Sequence, residues 1–125
     1  MLLHLDCRHY LGDRPCQFKR ACQDCPQYTP MGPRVLVIKL GALGDVVRTA
    51  CLLPALAAWE EPPFVTWVTS PAARPLVERM PGVHRVLTFE PATLLHLEIE
   101  HFDTVISLDK EPAPAALAMR VRAEQ

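Results

Sequence analysis

Residues 34–49, RVLVIKLGALGDVVRT, constrain the fold more than any other stretch of the 125-residue chain. Val35, Leu36, Val37, Ile38 and Leu40 make a short apolar run interrupted only by Lys39. A mostly β-branched run of that length reads as a strand covered on both faces, the kind found in parallel sheets. Gly41-Ala42-Leu43-Gly44 then breaks it with two residues that tolerate positive φ and let backbone approach a ligand. Asp45 stands at the expected N-cap of a helix, and Val46, Val47, Ala50 and Cys51 continue at helical spacing. A strand, a glycine turn and a helix start together form the ligand-facing corner of an α/β sheet. Gly-x-x-Gly is only part of the dinucleotide fingerprint, and the Walker Gly-Lys-Ser/Thr is absent. From the residues alone the loop is either a ligand loop or a plain turn whose Asp45 is a cap contributing about 1 kcal/mol.

The helix opened at Asp45 is expected to run to about Trp59, with a kink at Pro54, where a backbone N–H is missing. Glu61-Pro62-Pro63 stops it, and Phe64-Val65-Thr66-Trp67-Val68-Thr69 reads as a second strand. Ser70-Pro71 opens a helix that ends near Met80, and Val83 to Phe89 holds a third strand. Thr93 to Glu100 reads as a helical segment with Leu94, Leu95 and Leu97 on one side and Glu98 and Glu100 facing solvent. Residues 102–108 form a fourth strand ending at Asp109-Lys110, and the helix from Pro112 to Ala123 ought to lead into another strand. This alternation predicts an α/β domain over residues 34–125, with a parallel sheet and right-handed crossovers.

Residues 1–33 differ in kind. They hold Cys7, Cys16, Cys22 and Cys25, with His4 and His9 nearby, and they lack a periodic apolar pattern. Such a segment cannot bury a core of its own, so something else must hold it. The spacing Cys-x8-Cys-x5-Cys-x2-Cys ends in a Cys-x-x-Cys knuckle that suits two adjacent tetrahedral ligands. Structural Zn²⁺ is the leading reading of this small cap, and a four-cysteine iron–sulfur cluster is the next. Unligated thiols, or disulfides in one of three connectivities, remain open. His4 and His9 read as surface residues, and Cys51 as a small buried hydrophobe.

The string VLVIKLGALGDVVRT resembles the opening strand, loop and helix of glycosyltransferase family 9, the lipopolysaccharide heptosyltransferases and their relatives. FDTVISLDKEP and MPGVHRVL resemble a later strand and turn of the same family. The resemblance runs from about Arg34 to the end and implies a Rossmann-like, GT-B N-terminal domain that receives the acceptor. A second domain after Gln125 would hold a nucleotide-activated sugar of the ADP-heptose type. Carried over by position, Asp45 is the catalytic base. Gly41, Ala42 and Gly44 would let backbone approach the sugars, Lys39 and Arg48 would meet phosphate or carboxylate groups, and Thr49 and Asp109 are weaker substrate-binding candidates. The implied partners are a nucleotide-sugar and a glycan or glycolipid acceptor, with the protein peripheral at the inner membrane.

Composition narrows the alternatives. Net charge is −1, which gives no electrostatic case for nucleic-acid binding. No apolar stretch approaches the ~20 residues that span a bilayer, so no transmembrane segment is expected. The start, MLLHLDC, lacks the features of a signal peptide, which makes the cytoplasm the expected compartment and disulfides improbable. The competing functional reading is a non-catalytic binding module, with a metal-knuckle cap that recruits a partner.

Overall fold

The computed structural model describes residues 4–11, 16, 18, 22 and 25–123. In chain order the elements are β1 (Arg34–Ile38), α1 (Leu43–Thr49), α2 (Leu52–Ala57), β2 (Phe64–Thr69), α3 (Arg74–Val77) and β3 (Arg85–Thr88). They continue with α4 (Pro91–Leu97), β4 (His101–Phe102), β5 (Thr104–Ser107), α5 (Pro112–Arg120) and β6 (Arg122–Ala123). Four strands pair in the order β3-β2-β1-β5, every pair parallel, and β4 pairs with β6 in a second short parallel ladder. The expected α/β class with a parallel sheet is what the chain forms.

Every residue of β1 and β2 is buried, as their continuous apolar runs require. Val35, Val37, Val65 and Trp67 pack with Val46, Leu53, Leu56 and Val77 from α1, α2 and α3. Leu36, Ile38, Val68 and Leu87 pack with Leu97 of α4 and Leu117 of α5. The sheet thus carries a hydrophobic cluster on each face, and the strand order reverses direction between β1 and β5.

Four local expectations need correction. The helix predicted from Asp45 to Trp59 is two helices, because Pro54 has no N–H to give the Ala50 carbonyl, which takes Leu53 N at 3.1 Å instead. That tighter turn shifts the phase, leaving Cys51 exposed rather than buried. The predicted 102–108 strand is interrupted at Asp103. Its carboxylate takes Arg34 N at 2.7 Å, while its own N–H reaches the Arg34 carbonyl at 2.9 Å. Glu100, expected in solvent, is fully buried.

Glu100 anchors a charged cluster at the amino-terminal ends of the strands. Arg85 Nη2 reaches its two oxygens at 2.9 and 3.0 Å, Arg34 Nη2 pairs with it, and so does His96 Nε2. Burial pushes the Glu100 carboxyl up, but the His96 hydrogen bond and the Arg85 charge outweigh it and hold it below its ordinary range. The cap closes over this cluster. Arg34 Nη2 donates to the Leu5 carbonyl at 3.4 Å, Arg85 Nη1 to the Tyr10 carbonyl at 3.5 Å, and the Tyr10 hydroxyl meets His96 Nδ1 at 3.1 Å. Met31, 1 % exposed, and the antiparallel bridge Cys7–Pro30 complete the seat. The sheet is what holds the segment that has no core of its own.

Candidate functional site

A cleft of about 680 Å³ opens at the carboxyl ends of β1 and β5, where the strand order reverses. In open parallel sheets this position is the usual ligand crevice. Lys39, Leu40, Gly41, Ala42 and Asp45 line it from the β1 side, and Leu108, Asp109, Lys110, Glu111 and Pro114 from the β5 side. Of the residues singled out in the sequence, Lys39, Gly41, Ala42, Asp45 and Asp109 meet there. Gly44, Arg48 and Thr49 are not among its lining residues, and the Thr49 hydroxyl donates locally to the Val46 carbonyl at 2.7 Å. Lys110 and Glu111 escaped sequence reading. Their only signal was a charged pair directly after a strand end.

Asp45 is not the N-cap. Ala42 holds that position in extended conformation without a side-chain bond, and Asp45 sits in the first turn. The reason lies in Val46 N, which reaches back to the Ala42 carbonyl at 2.9 Å and starts the helix earlier than predicted. Among the described residues the Asp45 carboxylate has one partner, Arg48 Nη1 at 3.7 Å, with both side chains largely exposed. That pair contributes little. The carboxylate therefore stands at the cleft with no backbone bond to satisfy.

The glycines act through space rather than through φ. Among the described residues only Gly32 and Gly82 have positive φ, and a Cβ added at Gly41 or Gly44 meets no atom within 4 Å. The expected left-handed turn is absent, and the Gly41–Ala42 peptide is cis. What Gly41 leaves is an open floor beside the cleft.

Lys39 and Asp109 are paired with each other. Lys39 Nζ donates to Asp109 Oδ1 at 2.8 Å, and the Leu40 N–H donates to Asp109 Oδ2 at 2.6 Å. The hydrogen bond to Asp109 raises the Lys39 pKa, burial works against the rise, and the charges of Asp109, Asp45 and Glu111 add to it. Lys39 thus stays an ammonium at the cleft wall.

The cysteines give a different picture. Cys7, Cys16, Cys22 and Cys25 are half-buried, and Cys25 N donates to the Cys22 carbonyl at 3.2 Å in one tight turn. That turn suits two adjacent ligands, but among the described residues no three His, Cys, Asp or Glu side chains are gathered to hold a metal ion. No helix among the described residues is long and apolar enough to cross a membrane. Comparison with protein-family models, with curated proteins and with solved structures finds no match to this chain.

Proposed function

We propose that this chain is the acceptor-side, Rossmann-like domain of an inverting GT-B glycosyltransferase, with Asp45 as the base that activates the acceptor hydroxyl. The observation that carries the reading is the Asp45 carboxylate itself. It lines the cleft at the strand-order reversal and, among the described residues, is engaged only by a distant, exposed arginine. A sugar hydroxyl is a poor nucleophile near neutral pH, and a carboxylate within reach takes its proton as the new bond forms. The open floor at Gly41 supports close approach of a polyol.

In this reading the donor, a nucleotide-sugar of the ADP-heptose type, binds a separate domain, and the reaction takes place in the cytoplasm. The four cysteines are proposed to hold a structural Zn²⁺, with an iron–sulfur cluster as the alternative. Their spacing supports this more than the described geometry does.

The test is turnover of ADP-heptose by protein that carries this domain together with its donor-binding half. Asp45→Asn should lower turnover by roughly 10²–10⁴, the usual worth of a general base. Stability should barely move for Asn or Ala, because the carboxylate caps nothing and its helix-dipole contribution is at most about 1 kcal/mol. An Asn variant with near-normal turnover ends the assignment.

A further inference from the structure

We propose that Asp109 is a positioning residue and not a ligand to substrate. It clamps the two walls of the cleft together and holds the segment 40–45 in place for reaction. The proposal rests on reading this cleft as the reacting site.

The exit from β1 is unusually well tied. Lys39 N donates to the Val68 carbonyl at 3.1 Å, and Trp67 Nε1 donates to the Lys39 carbonyl at 3.2 Å. The Leu40 carbonyl accepts from Ser70 N at 3.1 Å and from Thr69 Oγ1 at 3.3 Å. All of these bonds come from β2 or the residue after it. They hold Lys39 and Leu40 to the β2 side, while on the β5 side the ladder ends one residue earlier, where Leu108 N donates to the Ile38 carbonyl at 3.0 Å.

The remaining backbone group, the Leu40 N–H, is taken by Asp109 from the opposite side. Asp109 follows β5, so its carboxylate carries the β1–β5 connection past the last ladder bond, to the point where the two chains leave the sheet. Its side chain is 3 % exposed, and each oxygen already has a donor at 2.6 or 2.8 Å. A carboxylate so occupied has little left for a substrate. It does set how far the Leu40 exit stands from Leu108 and Lys110, and Gly41 to Asp45 hang from that exit. An isosteric amide cannot replace it, because only one of its two polar atoms accepts.

The first measurement is amide hydrogen exchange by nuclear magnetic resonance on the 125-residue chain, which needs no substrate. Asp109→Asn should speed Leu40 exchange by roughly 10–100-fold, as expected for losing a bond to a charged acceptor. Amides of 41–45 should shift with it, and those of Arg85–Thr88 should not. Leu40 exchange within threefold of wild type overturns the clamp. If the variant does not fold, wild-type Leu40 decides alone: exchange as fast as that of exposed Gly44 overturns it.

The second measurement separates positioning from binding in the transferase, with ADP-heptose as donor. A clamp lowers kcat with KM nearly unchanged, and Asp45→Asn/Asp109→Asn should be little worse than Asp45→Asn alone. A raised KM with normal kcat would make Asp109 a ligand and sink the proposal. Should Asp45→Asn prove harmless, the proposed base falls, while the Leu40 exchange still decides the clamp.

Discussion

Glu100→Gln offers the sharpest test of how the domain is held together. The side chain is fully buried and accepts from Arg85, Arg34 and His96. Gln keeps the shape but turns an amide NH2 toward at least one arginine and removes the only carboxylate that these bonds join. Arg34 is already strained in this respect, since its Nε is buried without a partner among the described residues. Removing one member of a buried ion pair costs about 3–5 kcal/mol. Against a total of about 5–15 kcal/mol for a domain, that should lower Tm by roughly 10–20 °C. Glu98→Gln is the control two residues away, because among the described residues Glu98 pairs only with exposed Arg120, at 3.6 Å, and should cost no more than ~0.5 kcal/mol. The pH dependence follows the same group. Its folded pKa lies below the ordinary 4.5, so the unfolded chain binds more protons there. Its stabilisation is present above pH 4.5 and is lost as pH falls through the folded value. Urea denaturation followed by circular dichroism, from pH 7 downward, reads both effects. Equal midpoints for Glu100→Gln and wild type at pH 7 would refute the argument.

Two further outcomes are expected. Burial first, and then the Arg8 charge, lower the His84 pKa below 6.5, and His84 Nδ1 accepts the Val65 N–H at 3.0 Å. Its contribution is therefore present above pH 6.5 and lost as pH falls below it, so His84→Ala should flatten the dependence of the urea midpoint between pH 7.5 and 5.5. If the four cysteines bind Zn²⁺, purified protein should be colourless and carry about one equivalent by elemental analysis. A brown protein points to iron–sulfur, and four freely titrating thiols without metal end the proposal.

The parts of the fold that depend on local pattern were legible. Val35 to Ile38 and Phe64 to Thr69 announce buried parallel strands, whereas the helix expected from Pro112 to Ala123 ends at Arg120, and Arg122–Ala123 pair with β4 as β6 instead. Pro54 pointed to a weak place in the first helix, but not to the full break that exposes Cys51. Glu100 was misread because solvent is the default for an acid near a helix end. Its burial is decided by Arg34 and Arg85, which are 66 and 15 residues away. The same limit applies to Asp109. A polar residue at a strand end reads as a ligand, and only the distance to the Leu40 N–H reveals a strut. Asp45 lay where the loop pattern put it, three residues past the true cap.

The seating of the cap also sets an order in time. Tyr10 meets His96 across 86 residues of chain, and its carbonyl meets Arg85 across 75. The ribosome releases the receiver long after the piece it receives. At about 5–20 residues per second, Tyr10 waits roughly 4–17 s before its partner on α4 is made. During that interval the cap has neither His96 nor Arg85 to hold it. The amino-terminal cysteines thus leave the ribosome before the cap that carries them has its seat.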